Sequence, residues 1–209
     1  MIQGIDISHN NDPINWDNLS PNIQFVFCKA TQGAVFKDPM FNTYWQELKA
    51  KNILHGAYHF LTATDSAQDQ ANNFLSRGVD FSLPGCLPPM LDVEDQVPAS
   101  LNANITANKP AFIQLIADWL NIVQTQTGRT PIIYSYKNFF IEYLNSTTQF
   151  GSYPLWLASY QATPPGLPPG WTDWTIWQNS ESGTIEGALT GGSFDMDLFN
   201  GTLEELQAL

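Results

Sequence analysis

Apolar residues in this chain recur with two alternating periods. Short β-branched or aromatic runs stand at residues 2–8 (IQGIDIS), 23–30 (IQFVFCKA), 53–60 (ILHGAYHF), 88–94 (PPMLDVE) and 130–135 (TPIIYS), and each reads as a strand. Between them lie segments of helical spacing. Asp38 and Pro39 open one that carries Phe41, Trp45 and Leu48, while Asp65 and Ser66 open another that carries Ala67, Ala71, Phe74 and Leu75 and stops at Gly78. The clearest begins at Pro110. Its Phe112, Leu115, Ile116, Trp119, Leu120 and Val123 follow the i, i+3, i+4, i+7 rule, and Gly128 supplies a left-handed stop. Beyond residue 150 the helical spacing is gone. Residues 154–160 (PLWLASY), 174–179 (WTIWQN) and 191–199 (GGSFDMDLF) read as strands, and the Pro/Gly-rich stretch 163–173 as a loop.

Strand and helix in succession predict an α/β fold with a parallel sheet. About eight strands within one composition regime predict closure into a single TIM-like β/α barrel domain over residues 1–209, its last strands without regular helices. An open doubly wound sheet is the alternative.

Composition narrows what such a fold could bind. Lys plus Arg number 8 against 20 Asp plus Glu, a net charge of −12, and no basic cluster exists to neutralise phosphates, which excludes nucleic acid and disfavours anionic surfaces. Trp 7, Tyr 7 and Phe 13 supply rings instead, so a polymer gripped by aromatic faces and hydrogen bonds, such as a glycan, fits better. No apolar run approaches the roughly 18 residues of a membrane span, and the N-terminus lacks the basic and apolar regions of a classical signal peptide. Cys28 and Cys86 read as buried thiols rather than a disulfide framework. With no G-x-G-x-x-G and no P-loop, the expectation is a monomer without cofactor or metal.

The scarce charges concentrate in one place. Residues 90–95, MLDVED, put three carboxylates in four positions. In a parallel barrel the ligand site lies at the C-terminal strand ends, and there Asp6 closes the first strand, Asp92 and Glu94 the fourth, while Asp195 lies in the last. Asp92 and Glu94, two residues apart on one strand, face the same way with backbones about 6.6 Å apart, and Asp95 faces the other way. Any one such acid commonly caps a helix or pairs with a lysine, but Lys29, ending the second strand, is the single evident partner nearby. Crowded carboxylates repel, which holds a proton for general acid catalysis. Tyr58, Tyr134, Trp156 and Trp177, near strand ends, are candidate sugar platforms, and Lys29 a candidate substrate contact.

The blocks GIDISHN (4–10), FVFCKATQG (25–33), GAYHF (56–60), LDVE (91–94), PIIYS (131–135), PLWLASY (154–160) and FDMDLFNG (194–201) resemble, in order and over nearly the whole chain, the glycoside hydrolase family 25 lysozymes, the Chalaropsis-type N-acetylmuramidases. The resemblance implies a flattened β/α barrel that hydrolyses the β-1,4 bond between N-acetylmuramic acid and N-acetylglucosamine in peptidoglycan, outside the cytoplasm. Carried over by position, Glu94 is the proton donor, Asp92 stabilises positive charge or orients the acetamido group, and Asp6 and Asp195 complete the acidic floor. Gln32 departs from the Lys-Ala-Thr-Glu-Gly that the family often shows. Asp197 is a second acid beside Asp195, and spacing assigns the role to Asp195. Retaining, inverting and substrate-assisted routes stay open. Two rival readings remain: a catalytically silent peptidoglycan-binding module, and a metal-dependent polysaccharide deacetylase using His9 and His59 beside the acids.

Overall fold

The computed structural model describes residues 1–189 and 192–209. The strands are β1 (Ile2–Ile7), β2 (Ile23–Gln32), β3 (Phe36–Lys37), β4 (Leu54–Phe60), β5 (Met90–Asp92), β6 (Ile132–Tyr136), β7 (Leu155–Ala158), β8 (Ile176–Gly183) and β9 (Phe194–Phe199). The helices are α1 (Phe41–Ala50), α2 (Ala67–Leu75), α3 (Asn102–Ala107), α4 (Lys109–Thr127), α5 (Lys137–Glu142) and α6 (Leu203–Gln207). β1 pairs with both β2 and β9, so the sheet β1-β9-β8-β7-β6-β5-β4-β2 closes on itself, with β3 appended to β2. Closure rules out the doubly wound sheet.

The barrel is mixed rather than all parallel. β9 runs antiparallel to β1 and β8; the link from Gly183 to Phe194 is too short for the crossover that a parallel neighbour requires, and antiparallel neighbours need none. The expected strand over residues 88–94 also ends early, at Asp92, which leaves Glu94 and Asp95 in the following loop. Of the expected strand 191–199, residue 191 lies outside the described residues and β9 starts at Phe194. Helices were not expected beyond residue 150, yet α6 forms there, started by a capping box in which Thr202 accepts from the Glu205 amide. Five residues are too few to show a period.

Each helix expected from spacing is present, α2 and α4 with their caps, whereas α1 starts at Phe41 behind Met40 with no side-chain cap from Asp38. Asn108 caps α4 by accepting from the Ala111 amide, Pro110 lies in its first turn, and Gly128 ends it at φ 68°. Ser66 caps α2. Outward strand residues such as Val26, Ala57, Leu91 and Ile133 pack against Phe41, Leu48, Phe74, Ile116 and Trp119 of the helices. Cys28 and Cys86 are buried, free thiols.

Inward residues form a separate apolar plug of Phe25, Phe27, Leu54, Met90, Ile132, Trp156, Ile176 and Phe199. Gly4 and Gly56 make room for it: a Cβ on Gly4 would lie 2.4 Å from the Phe25 ring, and one on Gly56 2.1 Å from the Phe27 ring. The plug fills the N-terminal half of the barrel, so the polar end is its C-terminal mouth. Among the described residues no helix is long and apolar enough to cross a membrane.

Candidate active site

Following the inward positions toward the mouth, side chains change from rings to acids. Alternation along β1 places Ile2, Gly4 and Asp6 on the inner face, along β5 Met90 and Asp92, and along β9 Phe199, Asp197 and Asp195. Register then brings remote segments together, with Asp6 opposite Asp195 between β1 and β9, and Gln178 opposite Asp197 between β8 and β9. Asp6, Asp92 and Asp197 are 9%, 6% and 1% exposed, while Glu94 and Asp195 are half-buried at the rim.

Glu94 is held by its loop rather than by a strand. Gln96 donates to the Glu94 carbonyl and to the Leu61 carbonyl at 3.1 Å each, and its own side-chain oxygen accepts from the Ala63 amide at 2.8 Å. Asp95, which sequence spacing turned away from the site, ties down the same loop by accepting from Asn102 and from the Tyr136 hydroxyl, each at 2.7 Å. The backbone on both sides of Glu94 is therefore fixed.

Loss of water and mutual repulsion shift every mouth acid the same way. Burial raises the Glu94 carboxyl to about 7, with Asp95 and Asp195 adding to the rise and Lys29 opposing it. Asp195 rises to about 6, through burial and then the charge of Glu181. Burial pushes Asp92 well above the ordinary range, with Glu94 next in effect, and Asp6 likewise, with Asp195 next. Neither of the ion pairs formed among the described residues, His9–Asp38 and Lys51–Asp17, involves a mouth acid. Asp92 Oδ1 and Asp197 Oδ2 are buried without a hydrogen-bond partner. Uncompensated polar atoms of this kind cost about 1–3 kcal/mol each, a cost that packing alone does not explain.

Asp6, Asp92, Glu94 and Asp195 thus share one mouth, and Lys29 reaches it from β2. Its ammonium donates to Gln32 at 2.8 Å and sits 4.9 Å from the centre of the Phe60 ring. Gln32, where the family that the sequence resembles often has Glu, is the neutral partner of that lysine. Tyr58 and Tyr134 face the mouth from β4 and β6, their hydroxyls in the field of Asp92 and Asp6.

The two tryptophans are placed otherwise. Trp156 is fully buried in the plug, edge-on to Phe27 at 4.8 Å and donating to Asp197 at 3.0 Å, so no ring face is left for a sugar. Trp177 points outward, packs on Trp174 and donates to the Ser159 carbonyl at 2.8 Å. Its neighbour Gln178 takes the inward position, because one step along a strand reverses the face. The histidines do not join the acids either. His59 is fully buried on the outer face, bonded to Thr31 at 2.7 Å and Gln70 at 3.2 Å and stacked on Trp119, while His9 is bonded to Asp38. Among the described residues no group of three or more His, Cys, Asp or Glu side chains is arranged to hold a metal ion.

Two residues of the mouth were missed. Gln178 is 3% exposed and touches Asp6, and Tyr160, 51% exposed, presents its ring at the rim with its hydroxyl on Gln178. A polar residue in the inward phase of an otherwise apolar strand was the available signal for Gln178; Tyr160 follows β7 in a loop and carried none.

Comparison with known proteins places the whole chain in one family. The family described as glycosyl hydrolases family 25 matches residues 5–188. An N,O-diacetylmuramidase of Chalaropsis sp is 31% identical over 218 residues, covering 100% of this chain and 98% of that protein. Lysozyme M1 of Streptomyces globisporus is 30% identical, covering 100% of this chain and 71% of that protein. The crystal structure of the bacterial lysozyme from Streptomyces coelicolor superposes with a TM-score of 0.90 at 30% identity, covering 100% of this chain and 96% of that one. The chain belongs to the glycosyl hydrolases of family 25.

Proposed function

We propose that residues 1–209 act as one catalytic barrel, a lysozyme that cleaves the β-1,4 bond after N-acetylmuramic acid in peptidoglycan with Glu94 as proton donor. The observation that carries this reading is the Glu94 carboxyl, raised to about 7 at the rim of a mouth whose acids form no ion pair among the described residues. A carboxyl that keeps its proton near neutrality protonates the leaving oxygen, and its deprotonated form then accepts a proton from the incoming water. Family membership and lysozyme and muramidase relatives support the same activity.

Asp92 lies deeper, with Oδ1 buried and without a partner. In this reading it accepts the N–H of a C2 acetamido group, turning the carbonyl oxygen of that group toward the anomeric carbon. This favours the substrate-assisted route with retention. Asp6 and Asp195 stabilise positive charge on the sugar ring, Tyr58 and Tyr134 bind polar sugar groups from below, and the exposed ring of Tyr160 offers a stacking face. Lys29 limits the repulsion among the acids and contacts substrate. The substrate lies in the wall, so the enzyme acts outside the cytoplasm.

Digestion of purified sacculi followed by mass identification of the fragments tests the assignment. Muropeptides reducing at N-acetylmuramic acid are expected; fragments reducing at glucosamine, or intact glycan, would overturn it. Proton NMR of the first product should show the retained anomer, and first release of the inverted one excludes the substrate-assisted route.

A further inference from the structure

Two of the mouth acids accept a hydrogen bond from a buried, neutral side chain, Asp197 from Trp156 and Asp6 from Gln178, and the amide on Asp6 is itself held by further bonds. Gln178 Nε2 donates to Asp6 Oδ2 at 2.7 Å. The other end of that amide is fixed twice: the Tyr134 hydroxyl donates to Gln178 Oε1 at 2.8 Å and the Tyr160 hydroxyl at 2.9 Å. Two O–H donors occupy both lone pairs of Oε1, which leaves the NH2 group turned to Asp6. Four residues from β1, β6, β8 and the loop after β7 make one chain of hydrogen bonds, and none of them is adjacent to another in sequence.

We propose that Gln178 is a positioning residue that favours the ionised form of Asp6 within the acid cluster, with Tyr134 and Tyr160 setting the polarity of the amide. This rests on the lysozyme reading for its catalytic consequence but not for its electrostatic one. Asp195 and Asp197 face Asp6 from β9, and Asp92 and Glu94 from β5 and its loop, with Lys29 of β2 acting on Asp92 and Glu94. Tyr58, Tyr134 and Tyr160 complete the surroundings, with Glu181 beyond Asp195. Five carboxyls so close do not all ionise near neutral pH. A donor that has no proton to lose favours the ionised form of the acid it touches. Gln178 therefore opposes burial and the charge of Asp195 at Asp6, and any negative charge it holds there in turn raises Asp92 and Asp197. The hydroxyls polarise the amide and strengthen the bond, as in other hydrogen-bonded chains.

Carboxyl 13C titration of the full chain by NMR reads this directly. Gln178→Leu removes the donor, so the Asp6 midpoint should rise by about one pH unit, the order of magnitude that a hydrogen bond to a charged group supplies. Tyr160→Phe, at an exposed side chain that leaves the barrel packed, should raise it by a smaller amount in the same direction. Should Gln178→Leu fail to fold, Tyr160→Phe decides. An Asp6 midpoint that stays put or falls in the folded variants overturns the proposal, since a protonated Asp6 donating to the amide would respond with the opposite sign. In turnover of peptidoglycan, the acid limb of the kcat/KM profile should move up with Gln178→Leu, and the move should vanish in an Asp6→Asn background. A limb that shifts equally in that background means Gln178 does not act through Asp6. Wild-type chain that releases no reducing ends counts against the lysozyme reading alone, and the Asp6 midpoint still judges Gln178.

Discussion

Two buried polar clusters lie on opposite faces of the same barrel wall. On the outer face His59 is fully buried, yet both ring nitrogens have partners, Thr31 and Gln70, and its ring stacks on Trp119. Burial lowers it to about 3, so it is a neutral, satisfied group. On the inner face the mouth acids are buried too, but Asp92 Oδ1 and Asp197 Oδ2 have no partner and all the acids are shifted upward. Burial is common to both; satisfaction is not. The outer cluster spends its polarity on holding α2 and α4 against the barrel, whereas the inner one keeps its polarity available for a ligand.

That contrast breaks most severely at Glu94. Glu94→Gln should lower turnover of peptidoglycan by about 10²- to 10⁴-fold, the usual share of a general acid, with an unchanged far-UV circular dichroism spectrum. Full activity would mean another acid carries the proton. Asp92→Asn should lower turnover about 10²-fold or more, yet leave the melting temperature unchanged or higher, because a desolvated, repelled carboxyl is replaced by a neutral amide of the same shape. A large fall in melting temperature would move Asp92 into the structural class. His59→Leu should do the reverse, costing about 1–3 kcal/mol in urea denaturation as Thr31 and Gln70 lose their partner, with turnover within about twofold of wild type.

The two clusters also pull the pH dependence of stability in opposite directions. Glu94 holds its proton more tightly folded than unfolded, so its contribution is fully present below its ordinary 4.5 and is lost as pH rises through about 7. His59 holds its proton less tightly when folded, so its contribution is present above its ordinary 6.5 and is lost as pH falls toward about 3. Melting curves across pH 4.5 to 7 should therefore fall less steeply with pH in Glu94→Gln than in wild type, the smallest of these effects.

How far the sequence revealed this arrangement differs between the two faces. Period and capping residues located α2 and α4 because their apolar stripes are long enough to repeat, and the acids at Asp6, Asp92, Glu94 and Asp195 stood out against a chain poor in charge. Strand phase was harder. Trp177 and Gln178 differ by one position, and a bias toward aromatic residues selected the outward one, although the inward amide makes the contact with Asp6. Trp156 was in the right phase but one layer too deep, since depth along the barrel depends on register with neighbouring strands and on the space left by Gly4 and Gly56. The direction of β9 rests on the length of a link, and the place of Glu94 on bonds made by Gln96 and Asn102, neither of which has a periodic signature.

The most direct test is the ionisation of Glu94 itself, followed through its side-chain carboxyl carbon by 13C NMR in the ligand-free protein. A midpoint near 7 is expected. A midpoint at or below the ordinary 4.5 would show a carboxylate already charged at working pH, and Glu94 could not then be the proton donor.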